Sequence, residues 1–165
     1  MANLEQGNRR SSWSARRIFL TAWLVAGTLD ITWACVMVLL AGRSPAGMLQ
    51  AIASGVLGAP SFQGGAATAA LGLILHFVIM LGVCTTYFTI AKFWPALHRR
   101  WYLAGPVFGI GVYFFMQLVV LPLSRITWKV SFDTRGVLLG FAAHIFCIGL
   151  PIAYAAMRAA RLRMP

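Results

Sequence analysis

Four long apolar stretches constrain this chain more than any other feature of its sequence. A helix rises about 1.5 Å per residue, so about 20 apolar residues cross the roughly 30 Å of hydrocarbon in a bilayer. The sequence therefore predicts an all-α membrane protein whose four transmembrane helices form a bundle. The predicted spans cover residues 18–41, 66–91, 104–121 and 136–157, and Asp30 is the only charged residue within them.

The composition favours the same class of protein. Hydrophobic residues make up 60% of the 165-residue chain and charged residues 10%, whereas soluble domains carry about 25% charged residues. A net charge of +11 would suit a nucleic-acid partner. However, the Lys and Arg residues stand in short clusters beside the apolar stretches, where lipid headgroups and membrane orientation explain them. We therefore expect the lipid bilayer, and not nucleic acid, as the partner.

The Lys and Arg residues also predict the orientation in the membrane. With the N-terminus inside, ten of the fourteen lie in cytoplasmic segments and four in outer loops. Because cytoplasmic segments carry an excess of Lys and Arg, both termini are predicted to be cytoplasmic. Basic tails at residues 1–17 and 158–165 then flank one transmembrane domain, residues 18–157.

A short helix is predicted over residues 45–57, in the loop between the first two spans. Ser44 is a good N-cap, Pro45 suits the first helical position, and Gly58 is a plausible stop. Thirteen residues do not cross a bilayer, so this helix either lies at the outer interface or re-enters and covers the bundle. In the last outer loop, residues 126–133 alternate between apolar and polar side chains, which is typical of an extended segment.

Three ionisable side chains fall at a similar depth in different spans. Asp30 lies eleven residues before the outer end of its span, while His76 and His144 lie ten and eight residues after theirs. At about 1.5 Å per residue, all three lie ~12–17 Å below the outer surface. Tyr113 and Gln117 lie within the third span, four residues apart, and extend this predicted polar layer.

Small residues accompany the polar layer on the same helix faces. Residues three or four apart share a face, and small side chains allow another membrane helix to approach closely. We therefore predict helix packing at six glycines: Gly27, Gly72, Gly105, Gly109, Gly136 and Gly140.

Four interpretations of the layer are open. In the first, Asp30, His76 and His144 bond one another and organise the bundle of a non-enzymatic protein, which is an oligomer or an accessory subunit. In the second, they form the site of a small transporter or proton-responsive channel. Zinc binding by the same three residues is the third. Haem b held by His76 and His144 is the fourth. From the sequence alone, we assign no metal and no cofactor.

Enzymatic activity is not expected. The chain contains no GxSxG, HExxH or P-loop pattern. The other acids, Glu5 and Asp133, lie outside the spans, so paired-carboxylate chemistry has no support. The three cysteines, Cys35, Cys84 and Cys147, have no CxxC spacing and are expected to be buried free thiols.

Several short strings run from the first span to the fourth. They are residues 27–34 (GTLDITWA), 42–45 (GRSP), 50–55 (QAIASG), 68–72 (TAALG) leading to His76, 122–124 (PLS), and His144 followed by 149–151 (GLP). Together they resemble the YagU-like family of uncharacterised bacterial inner-membrane proteins, and the likeness covers most of the chain. The resemblance implies a multi-pass protein of the bacterial inner membrane, and it assigns no catalytic residue.

Overall fold

A computed structural model of the chain describes the backbone of residues 2–126 and 133–162, and the side chains from Ala15 onward within those ranges. Helices account for nearly all of the described residues, and no strand occurs among them. The helices are α1 (Ala2–Leu40), α2 (Pro45–Leu57), α3 (Gly65–Phe93), α4 (Ala96–Arg99), α5 (Trp101–Phe115), α6 (Leu121–Leu123), α7 (Thr134–Ala143) and α8 (Leu150–Arg161). The residues predicted to be extended, 126–133, lie almost wholly outside the described part.

The prediction of four transmembrane helices is confirmed. Four helical stretches are long and apolar enough to cross a membrane, and their ends differ from the predicted ends by at most four residues. We number them as spans one to four: Ala15–Leu40, Gly65–Phe93, Trp101–Leu123 and Thr134–Arg161. The backbone of α1 begins at Ala2, so the predicted N-terminal tail continues the first helix.

The spans alternate in direction, which gives the bundle two distinct ends. We call one of them the terminal end; span one begins there, span two ends there, span three begins there and span four ends there. The α2 end is the opposite one. Span four is the central helix, because it packs against spans one and three and also touches span two. The predicted cytoplasmic location of the terminal end stays a prediction.

The core lies where spans one, two and four meet. Many of its members are alanines, such as Ala26, Ala153 and Ala156, which let the helices approach closely. Cys84 and Cys147 belong to this cluster as buried free thiols, and the free thiol of Cys35 is half-buried.

Helix α2 has the predicted bounds and lies across one end of the bundle. The Ser44 hydroxyl accepts a hydrogen bond from the Gly47 amide at 3.4 Å, and the chain turns at Gly58, whose φ of 71° suits glycine. One face of α2 packs against α3. Near its C-terminus, the Gly55 carbonyl accepts a hydrogen bond from the Arg125 amide at 3.0 Å, which joins α2 to the end of span three.

Spans three and four are each interrupted by a π-helical segment. The segments are Met116–Val120 and His144–Gly149, and each is followed within two residues by a proline, Pro122 or Pro151. Proline has no N–H to offer the carbonyl four residues before it, so the regular hydrogen-bond ladder cannot continue through it. A local change to i→i+5 bonding accommodates the loss.

Candidate functional site

The buried face of α3 leads from the α2 end into the middle of the bundle. Its buried residues recur every three or four positions, as one face of a helix requires. Near the α2 end, Gly72 lies against the backbone of Leu49 so closely that a Cβ at this position would overlap the Leu49 carbonyl. Helix α2 therefore covers this face one turn before His76. The buried residues are Ala69, Gly72, His76, Met80, Cys84, Tyr87 and Ala91.

His76 joins span two to span one. Its side chain is only 8% exposed, and Nε2 donates a hydrogen bond to the Gly27 carbonyl at 2.9 Å. A Cβ on Gly27 would lie 2.6 Å from the ring of Phe77. The glycine therefore permits the close helix approach that brings its carbonyl within reach of the imidazole.

A second hydrogen bond between the same spans runs in the opposite sense. The indole Nε1 of Trp23 donates to the Phe77 carbonyl at 2.8 Å, and the Trp23 and Phe77 rings meet edge to face. Each span thus supplies one side-chain donor and one backbone acceptor. The sequence analysis did not single out Trp23. The position of Trp23 well inside an apolar span could have indicated this bond, because the N–H of a buried Trp usually needs an acceptor.

His144 lies at the contact between spans three and four. Its Nδ1 donates to the Gly140 carbonyl of the preceding turn at 2.9 Å. The Tyr113 ring packs edge to face on the imidazole, with 5.4 Å between ring centroids. Two glycines allow this approach, because a Cβ on Gly140 would overlap the Tyr113 ring and a Cβ on Gly109 would overlap the His144 carbonyl.

Asp30 is half-buried in span one and lies near both histidines. Its carboxylate interacts electrostatically with both His144 and His76. Within the described residues, it makes no hydrogen bond and no ion pair shorter than 4.0 Å. The three residues are therefore electrostatic neighbours, and the strong polar bonds of the histidines go to backbone carbonyls.

The other predicted residues differ from one another in their surroundings. A Cβ on Gly105 would lie 2.9 Å from the Gly149 carbonyl of span four, so Gly105 is a packing position as predicted. Gly136 is exposed, and its nearest neighbour is Asp133, the N-cap of its own helix. Gln117 is half-buried in the π-helical segment of span three and has no hydrogen bond within the described residues.

The geometry does not favour zinc or haem. In the described part of the chain, no three His, Cys, Asp or Glu side chains are grouped so that they could hold a metal ion. Axial haem ligation by histidine needs a free ring nitrogen directed at the iron. The Nε2 of His76 is instead directed at the Gly27 carbonyl, so His76 does not present that nitrogen to an iron. As placed, the described residues therefore offer neither a three-ligand zinc site nor a pair of axial Nε2 ligands.

Comparison with known proteins adds no functional information. No protein-family model, curated protein or solved structure matches this chain. The resemblance to the YagU-like family therefore stays a prediction, and the function is inferred from the placement of the residues described above.

Proposed function

We propose that this chain is a non-enzymatic, multi-pass membrane protein in which Asp30, His76 and His144 form a polar layer that organises the bundle. The layer draws one side chain from each of spans one, two and four. Polar side chains inside a bilayer are costly unless they face protein, so they hold helices in one register when they find partners there.

The hydrogen bond from His76 to the Gly27 carbonyl carries this proposal. It fixes span two against span one at one position along both helices. Asp30 follows Gly27 by three residues and therefore lies on the same face of span one. Its electrostatic interaction with His144 extends the contact to span four.

Thermal unfolding of the protein in detergent tests the organising role. We expect His76→Phe to lower the melting temperature, because it removes the hydrogen bond to Gly27 and such contacts in membranes contribute about 0.6 kcal/mol and at most about 1.7 kcal/mol. Asp30→Asn should lower it as well, because it removes the charge that interacts with the two histidines. Asp133→Asn is the matched control. It also removes a carboxylate, but asparagine caps helices as well as aspartate does. Melting of both layer variants at the wild-type temperature would show that the layer does not organise the bundle.

A second candidate function is a proton-responsive transport site, and it is favoured by polar atoms of the layer that have no hydrogen-bond partner within the described residues. The Asp30 carboxylate has no hydrogen bond within the described residues, and each imidazole bonds a carbonyl through one nitrogen only. One acid and two bases in electrostatic contact can relay protons. His144 also begins a π-helical segment, a feature found frequently at functional sites.

Proton flux into proteoliposomes that contain a pH-sensitive dye separates the two candidates. If the layer moves protons, Asp30→Asn abolishes flux while the protein remains folded, and Asp133→Asn retains flux. If the layer only organises the bundle, wild-type vesicles show no flux above empty vesicles, and Asp30→Asn changes the melting temperature alone.

We further propose a bacterial inner-membrane location with both termini in the cytoplasm. The location rests on the resemblance to the YagU-like family, and the orientation rests on the excess of Lys and Arg at the terminal end. A reporter fused after Pro165 that is active only in the cytoplasm tests the orientation. Assembly as a homo-oligomer, or as an accessory subunit of another membrane protein, is also a proposal.

A further inference from the structure

A cavity opens at the terminal end of the bundle, between spans one, two and four and the short helix α4. We refer to it as the terminal cavity. Its volume is about 660 Å³, which is the size of a small-molecule site. It is separate from the Asp30–His76–His144 layer, because none of those residues lines it. The lining residues are Ala15, Arg16, Phe19, Leu20, Thr85, Phe88, Thr89, Lys92, His98, Ala156, Ala159 and Ala160.

The charged groups of the terminal cavity are all of one sign. Arg16 and Lys92 line it, and no acidic residue among the described side chains does. Neither cation forms an ion pair within the described residues; the Lys92 ammonium instead lies 5.8 Å from the centroid of the Phe93 ring. His98 adds an imidazole whose Nδ1 is buried without a hydrogen-bond partner in the described part of the chain. The cavity therefore presents two cations that lack a counter-ion.

The charged groups of the terminal cavity lie at one end of it. Arg16 and Lys92 lie at the ends of spans one and two. Further along the spans, the walls are mainly apolar and are formed by Phe19, Leu20 and Phe88, with the hydroxyl groups of Thr85 and Thr89 among them. Thr85 precedes Lys92 by seven residues, so the cavity extends about 10 Å along span two. Cations at the membrane surface above an apolar slot match the order of groups in a phospholipid.

We propose that the terminal cavity binds an anionic phospholipid, with the phosphate headgroup on Arg16 and Lys92 and an acyl chain against Phe19 and Phe88. Basic pockets between transmembrane helices are suited to anionic headgroups because the local charge attracts them and the apolar walls receive the chains. A free phosphate ion would use only the two cations and would gain nothing from the apolar walls. The combination of both surfaces therefore favours the lipid.

Native mass spectrometry of the full-length protein in detergent measures this binding directly. The probes are phosphatidylglycerol, phosphatidylcholine with the same acyl chains, and inorganic phosphate. The test variant is Arg16→Gln combined with Lys92→Gln. The control is Arg17→Gln, because Arg17 is the next residue on the same helix, is exposed and does not line the cavity. Arg16→Gln alone is also compared with Arg17→Gln, because each of these two variants removes one charge from the same turn of α1.

We expect the wild type to bind phosphatidylglycerol in preference to phosphatidylcholine. The double variant should bind phosphatidylglycerol about thirtyfold more weakly, since each basic residue near a membrane surface is worth about a fivefold change in affinity. Arg17→Gln should change the affinity less than about twofold, because its guanidinium does not face the cavity. Equal losses in Arg16→Gln and Arg17→Gln would overturn the proposal, since they would reveal unspecific attraction.

Two further arms keep the test decisive. Ala160→Leu narrows the terminal cavity without changing its charge, and we expect it to weaken phosphatidylglycerol binding; an unchanged affinity would overturn the proposal. Inorganic phosphate at millimolar concentration should not displace the lipid. If it displaces the lipid, the cavity is a site for free anions, and the proposal of a lipid site is wrong. Circular dichroism of each variant checks that the helices are retained.

Discussion

Two faces of span three carry glycine, and the structure places very different surroundings against them. Gly105 and Gly109 lie against the backbone of span four at Gly149 and His144. Gly111, two residues further along, has no atom within 4 Å of where its Cβ would be. The same residue type on the same helix therefore marks a tight contact on one face and an open surface on the other. Small residues permit close approach, but only a partner helix makes use of it.

The open face forms one wall of a groove between spans two and three. Gly82 of span two lines the same groove. A Cβ added at Gly82 would also meet no neighbouring residue within 4 Å. The groove has a volume of about 660 Å³ and is lined almost wholly by apolar side chains. Spans two and three meet mainly through the rings of Tyr87 and Phe108, whose centroids lie 4.9 Å apart.

The largest effect we predict is at the tight face. Gly109→Leu should destabilise the protein by at least about 3 kcal/mol, because the new side chain meets the His144 backbone, which cannot rotate away as a side chain can. Gly111→Leu is the matched control and should stay within about 0.5 kcal/mol of wild type. The stability of both variants is measured by titrating the solubilised protein with a denaturing detergent and following its unfolding. Equal stability of the two variants would show that the difference between the two faces has no energetic meaning.

A smaller and more local effect is predicted at Gly72. A leucine there meets the Leu49 backbone and should release α2 from α3 at a cost of about 1–3 kcal/mol, while the four spans stay together. Limited proteolysis should then cut within residues 42–64 in Gly72→Leu but not in wild type. Gly82→Leu, on the open surface of the same helix, is the control and should leave the loop protected. Cutting that is equally fast in both variants would contradict the close contact between α2 and α3.

The contact between spans one and two depends on hydrogen bonds as well as on a glycine. Trp23→Phe removes the indole donor to the Phe77 carbonyl and should cost about 1 kcal/mol. Combined with His76→Phe, it should cost less than the sum of the two single changes if the reciprocal bonds hold one shared register. Melting temperatures of the four proteins complete the double-mutant cycle. Strict additivity would mean that the two bonds act independently.

The smallest predicted effect is a pH dependence at His98, outside the spans. Burial lowers the pKa of His98 below its ordinary value of 6.5, and the backbone of Ala91 partly offsets the change. The unfolded protein therefore binds more protons, so the contribution of this group to stability is present above about pH 6.5 and is lost as the pH falls below that value. His98→Gln should reduce the difference between melting temperatures at about pH 7.5 and about pH 5.5. An unchanged difference would assign the pH dependence to other groups.

Much of the fold follows from local patterns in the sequence. The four spans are set by runs of apolar residues, and α2 is set by Ser44, Pro45 and Gly58, so both were predictable without any knowledge of packing. Five of the six glycines predicted to pack do lie against another helix, since small residues beside buried polar ones are a local pattern too. Gly136 does not lie against another helix. The same spacing also suits a glycine in the first turn of a helix beside its N-cap, which here is Asp133.

The partners of each group were harder to predict. The direction of the His76 and His144 bonds depends on which backbone carbonyls are within reach, and a sequence pattern does not contain that distance. Trp23 was missed for the same reason. A proline inside an apolar span indicates an interruption of the helix, but it does not indicate that the interruption takes the form of a π-helical segment, as it does before Pro122 and Pro151.

The central position of span four has a consequence for how the protein is made. Span three packs chiefly on span four, and span four leaves the ribosome after it. Until span four arrives, the glycine face of span three has only lipid or the insertion machinery to contact. A chain that stops before Thr134 would lack the surface on which span three packs, so the packing of span three is completed only once span four is inserted.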